Sequence, residues 1–183
     1  MDRRHMLAGL ALTAPVILGA NGARSAASPG PEETPQQPAD TGDEAPPLGA
    51  KAVQQFAATL NAHDIGAFAA LFADNYINHQ ASAAAPAPSD AGEAKQLTVA
   101  YFAARLRGLP DLRVTIEAMV ATQDKAAASF VYEGTHNGLY LGFEPTGRRL
   151  RFTSCDIFAL RDGRIAEHWG MGDIAGVIAQ LKG

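Results

Sequence analysis

Three residue types able to hold or move a proton lie close together in the last third of the chain: Ser154 and Asp156 precede an Asp162-Gly163 pair, and His168 follows it. A carboxylate and an imidazole within hydrogen-bond reach can share a proton and serve a bound molecule as base and acid. The stretch Leu160-Arg161-Asp162-Gly163-Arg164-Ile165 is a hairpin signal, because Asp-Gly accepts the left-handed backbone that tight turns require. Its register decides who meets whom. A two-residue turn sets Asp156 opposite Trp169; a type I turn with Gly163 as a left-handed bulge residue sets Asp156 opposite His168. The second arrangement puts Ser154, Asp156, His168 and a vacant position at Gly170 on one sheet face. Burial among Cys155, Ile157 and Phe158 favours the neutral acid and a neighbouring imidazolium favours the carboxylate, which leaves the charge of Asp156 open. The plainer reading of the pair is a hydrogen bond that orders the hairpin.

Tyr76, His79, His136, Ser154 and Trp169 are the further candidates for lining a ligand pocket. His79, His136 and His168 lack metal-ligand spacing and accompanying thiols or acids, so no metal site is expected. Cys155 has no partner for an intramolecular disulfide and reads as a small buried side chain. Arg148, Arg149 and Arg151 read as a solvated strand start, with the reception of a ligand carboxylate or phosphate as the alternative.

The elements that position these residues follow from periodicity. Val53, Phe56, Ala57 and Leu60 recur at helical spacing, and Asp64 caps a second short helix carrying Ile65, Phe68, Leu71 and Phe72. Residues 76–79 form a brief extended segment, and 81–88 a loop. A third helix over 90–106 places Leu97, Ala100, Tyr101 and Ala104 along its apolar stripe before Gly108 and Pro110 stop it. The period then changes to two. Strands are expected over 112–120, 126–135, 150–160 and 164–171, and a closing helix over 173–181. The glycine-rich stretch 137–148 connects two strands or lies over a pocket mouth. Helices first and an antiparallel sheet afterwards give an α+β fold with the helices packed on one sheet face and a pocket between.

Four segments, NAHDIGAFAALFADNYINH (61–79), PDLRVTIEAMV (110–120), GTHNGLYLGFEPTGRRLRF (134–152) and CDIFALRDGRIAEHWGMGDIAGVIAQL (155–181), together resemble the SnoaL-like polyketide cyclase and ester cyclase family. The resemblance implies the nuclear-transport-factor-2-like cone fold. It also implies a cofactor-free reaction, in which a carboxylate removes a proton flanked by carbonyls and the enolate attacks a carbonyl of the same molecule. In the family's pattern that acid follows the Trp of an EHWD segment; here Glu167-His168-Trp169 is followed by Gly170. Asp156 and His168 are therefore the surviving acid–base candidates, and the alternative is a non-catalytic pocket for a small apolar ligand.

The N-terminus reads as an address. Arg3-Arg4 precede LAGLALTAPVILGA (7–20), which resembles a twin-arginine export signal cleaved by residue 27 and is too short to span a bilayer stably. Residues 28–49, with six prolines, five acids and no base, read as a linker that cannot bury enough surface to fold, leaving 50–183 as the domain. Removing residues 1–27 takes away three of 15 basic and one of 19 acidic residues, so 12 against 18 leaves a net charge of −6. Nucleic acid is not an expected partner. A small carbonyl or apolar molecule is, with a periplasmic or secreted location and a homodimer through the outer sheet face as further expectations.

Overall fold

The computed structural model describes residues 45–80 and 91–183. The expected signal (1–27), most of the expected linker (28–49) and the expected loop at 81–88 lie outside the described residues. The elements run α1 (Leu48–Asn61), α2 (Ile65–Ala70), β1 (Phe72–Asn78), α3 (Ala91–Gly108), β2 (Arg113–Ala121), β3 (Lys125–Thr135), β4 (Arg149–Arg161), β5 (Arg164–Gly172) and α4 (Ile174–Lys182). Among the described residues no helix is long and apolar enough to cross a membrane.

The α+β expectation holds: five strands form one curved sheet in the order β1-β5-β4-β3-β2, antiparallel except where β1 runs parallel to β5. Alternation along β3 and β4 buries Ala126, Ala128, Phe130 and Tyr132 with Leu150, Phe152, Asp156 and Phe158 on the inner face. The helices cover that face. Phe56 of α1 is the centre of the core, with the rings of Phe68, Phe102, Phe130 and Phe158 at 5.2, 5.4, 5.2 and 5.3 Å. Each such ring contributes about 1.5–3 kcal/mol on burial, and the tilted contacts add to that. Asp64 caps α2 as expected, its Oδ1 accepting the Ala67 N–H at 2.8 Å.

Three local expectations need correction. Phe72 is not helical: α2 ends at Ala70, and Phe72 opens β1, because the Leu71 carbonyl accepts the Ile165 N–H at 2.8 Å and draws the chain into the sheet. The buried side of α3 is not the stripe through Leu97 and Ala100. It is Ala94, Thr98, Phe102 and Arg105, leading to Leu109, and Leu97 is exposed. Two polar residues on the inner side hide that face from any reading of hydrophobicity. Cys155 is exposed, since odd positions of β4 point to the outer face while Ser154, Asp156 and Phe158 point inward.

Candidate functional site

Asp162 (φ 52°) and Gly163 (φ 74°) form a two-residue turn, with Arg161 paired to Arg164 and Leu160 to Ile165. A one-residue bulge at Ala166 then shifts the ladder, so that Ala159 pairs with Glu167, Phe158 with His168 and Asp156 with Gly170. Neither expected register is correct: Asp156 faces neither Trp169 nor His168. The turn is the two-residue form, and the extra residue, Ala166, sits three positions beyond it. His168 and Asp156 nevertheless share the inner face as diagonal neighbours, and His168 Nε2 lies 2.7 Å from Asp156 Oδ1.

Both are buried, Asp156 at 5% and His168 at 3% exposure. Position 170 is not vacant. A Cβ there would meet Asp156 Oδ1 at 2.6 Å and both Gln80 Oε1 and His168 Nε2 at 2.8 Å, so the absence of a side chain at Gly170 is what lets the pair close.

Two chains of donors converge on Asp156. On one side Asn78 Nδ2 donates to Thr98 Oγ1 (3.3 Å), Thr98 to Tyr76 OH (3.4 Å), and Tyr76 OH lies 3.2 Å from His168 Nδ1. The phenol's proton is held firmly, because burial raises its pKa far more than the Thr98 hydrogen bond lowers it, and the nearby Asp156 adds a lesser upward push. Tyr76 therefore donates, His168 Nδ1 accepts, and the imidazole proton resides on Nε2, aimed at the carboxylate. On the other side Ser154 Oγ donates to Asp156 Oδ2 in a short hydrogen bond. The Tyr132 hydroxyl, 3.5 Å from Ser154 Oγ and likewise kept protonated chiefly by burial, stands behind it. Phe158 stacks on the imidazole at 5.1 Å and fixes its plane.

The structure thus brings together Ser154, Tyr76, Asp156 and His168. It leaves the other candidates elsewhere. His79 stacks on Trp169 at 4.3 Å and bonds Glu167 Oε2 at 2.8 Å on the outer sheet face. His136 is wholly buried at the end of β3, where its Nδ1 accepts the Thr146 N–H (3.2 Å) and its Nε2 has no partner among the described residues. Arg149 and Arg151 pair with Asp111 (3.5 Å) and Glu133 (3.8 Å), while Arg148 donates to the carbonyls of Gln180 and Leu181 at the end of α4. An open groove of about 500 Å³ is lined by Asn61, His63, Pro110, Asp111, Arg113 and Arg149 and shares no residue with this site. Its polar groups are already committed: the Asn61 amide clamps the Val114 backbone, and Asp111 holds Thr135. We therefore take the Asp156–His168 face as the site.

Sequence reasoning missed Asn78, Gln80, Thr98 and Arg105. Asn78, two residues after Tyr76 in a strand, shares its face by period alone and was legible; the α3 pair Thr98 and Arg105 was not.

A profile described as SnoaL-like polyketide cyclase matches residues 50–181. The chain belongs to the SnoaL-like polyketide cyclase family. No curated protein matches it. Among solved structures, IdmH of Streptomyces antibioticus, provisionally assigned as a polyketide cyclase, is 28% identical, with a TM-score of 0.61 over 74% of this chain and 99% of that one. TsrD of Streptomyces laurentii is 26% identical, with a TM-score of 0.62 over 73% and 94%. A SnoaL-like protein of Jannaschia sp. CCS1, 20% identical with a TM-score of 0.61 over 76% and 96%, shares the fold. The cone fold expected from the sequence is the one these members share.

Where the resemblance led one to expect an acid the chain has Gly170, and the carboxylate present on this face is Asp156 of β4. Gly170→Asp should therefore destabilise the domain by about 2 kcal/mol or more, through overpacking and a second buried carboxylate. Urea unfolding checks this; wild-type stability in the variant would mean that Asp156 and His168 do not fill that space.

Proposed function

We propose that this SnoaL-like protein acts on a small carbonyl compound by cofactor-free acid–base chemistry, with Asp156 as the base. The observation that carries the reading is the buried carboxylate held by His168 Nε2–H and Ser154 Oγ–H. An ionised carboxylate offers about four acceptor positions, so two donors leave room for an incoming C–H proton. Asp156 takes the proton from a carbon between carbonyls. The enolate carbon then bonds to a second carbonyl carbon of the same molecule, and the oxygen released as alkoxide takes the proton back. His168 orients the carboxylate and stabilises it while charged. The phenol behind it fixes which ring nitrogen carries the proton.

Gly170 at the family's acid position favours a second reading, a non-catalytic pocket that binds an apolar ligand. Proton exchange separates the two. In deuterated buffer the wild type should accelerate exchange at the activated carbon of β-keto esters or diketones, and Asp156→Asn should lose at least a hundredfold of that rate, with His168→Ala also impaired. No exchange above buffer across the panel and across pH would sink the catalytic reading in favour of binding.

The same proposal extends to location and assembly. Arg3-Arg4 and the apolar stretch after them support twin-arginine export, which points to an exogenous metabolite rather than an intracellular biosynthetic intermediate. Replacing both arginines by lysine should retain the protein in the cytoplasmic fraction; unchanged periplasmic recovery argues against that route. On the outer face, Val120, Ala127, Ile157 and Trp169 form one cross-strand row, beside which Met171 is 78% exposed. An apolar row of this kind supports a second copy of the chain as its cover. Sedimentation should give a dimer that Ile157→Lys converts to monomer, and a monomeric wild type at tens of micromolar would refute it.

A further inference from the structure

Arg105 lies on the inner side of α3, 4% exposed, and among the described residues no carboxylate pairs with it. Burying a guanidinium without a counter-charge is expensive, and cations this deep are ordinarily paired. The surroundings offset part of the cost. The guanidinium carbon sits 4.6 Å from the Tyr132 ring centroid, 4.8 Å from Phe102, 4.9 Å from Tyr101 and 5.2 Å from Phe152. Nε donates to Tyr140 OH at 3.1 Å and Nη2 to Tyr101 OH at 2.9 Å.

Those two hydrogen bonds use only part of a group that carries five N–H donors. Nη1 is not spent on either. Nη1 is thereby left for a further acceptor. The aromatic box around Arg105 also adjoins the reacting pair: the ring of Tyr132 carries Arg105 on its face, and its hydroxyl stands against Ser154, the donor to Asp156. Tyr132 and Phe152, stacked at 5.1 Å and 5° apart in plane, offer a flat apolar wall between the two ends.

We propose that Arg105 is the receptor for a carboxylate on the ligand, which makes the compound taken by this site a small keto acid with a flat apolar body. The guanidinium supplies the missing pairing that burial demands, in the fork geometry that suits a carboxylate. Because Tyr132 and Ser154 separate Arg105 from Asp156, the ligand's carboxylate stands several bonds away from its acidic carbon, as in a γ-keto acid. A shorter acid would force two carboxylates together at Asp156. The carbonyl half of this assignment rests on the proton-transfer reading above; the anionic half stands on Arg105 alone.

The test is calorimetric titration of the full chain at pH 7 with 3-benzoylpropionate, a stable γ-keto acid, and with its methyl ester. The acid should bind at least tenfold tighter than the ester. Arg105→Met should abolish that preference without lowering the thermal midpoint, because it removes an unpaired buried charge. Arg105→Lys should keep part of the preference. Equal affinity for acid and ester, no binding of either at millimolar concentration, or a preference that survives Arg105→Met would overturn the proposal. Should Arg105→Met fail to fold, a folded Arg105→Lys without any preference overturns it as well. Acid preference without any proton exchange would sink the catalytic reading and with it the carbonyl half, and leave the anionic half standing.

Discussion

The arrangement of the inner face depends on keeping one carboxylate satisfied away from water. Asp156 is buried in a sheet whose neighbours are mostly apolar, and an unpaired charge there would cost several kcal/mol. Its two oxygens receive donors from opposite directions, one through His168 from β5 and one from Ser154 on its own strand. The first line runs back through Tyr76 on β1 to Thr98 on α3, so four separate elements must be in register before the carboxylate is served. That requirement explains why polar side chains occupy inward positions that a plain core would fill with valine or leucine. Burial also fixes protonation states here, since it keeps the proton on each of the two phenols, Tyr76 and Tyr132.

The aromatic cluster around Phe56 makes this possible mechanically. It fills the space between α1, α3 and the middle strands and ends at Phe158, which lies against the imidazole. Rings in tilted contact are stiff, and a stiff wall holds His168 within hydrogen-bond distance of Asp156. Beyond Phe102, the same layer continues into the box around Arg105. The apolar core and the polar site are thus two parts of one layer.

Most of the fold was legible from local pattern. Strand alternation, the Asp64 cap and the turn at Asp162-Gly163 each have a short-range cause, and each appears where the residues predict it. The inner-face grouping of Ser154, Asp156 and His168 was legible as well, though the ladder pairs were not. Whether an extra residue sits in a strand depends on how β5 fits β1 and β4 at once, and nothing within the hairpin's own residues encodes that. The inner side of α3 escaped for a different reason: Thr98 and Arg105 look like solvent-facing residues until their partners on other elements are known. Gly170 shows the same limit. Read alone it is a missing acid, whereas its neighbours make it the clearance that two other side chains require.

The bulge at Ala166 makes the set of inward-facing residues depend on one extra residue in the ladder. Ile165 faces inward opposite Leu160, but beyond the added residue the parity inverts, so that His168 and Gly170 point in while Glu167 and Trp169 point out. Closing the bulge with Ala166 retained as an ordinary ladder residue, and with the turn unchanged, would exchange the two sets. Glutamate and tryptophan would then enter the cavity in place of imidazole and glycine. A family built on this hairpin could therefore change its reactive groups by a shift of reading along the strand, a step that substitution alone would need several mutations to match. Comparisons among its members are best made by which residues face inward, since aligned letters on either side of the bulge need not occupy the same side of the sheet.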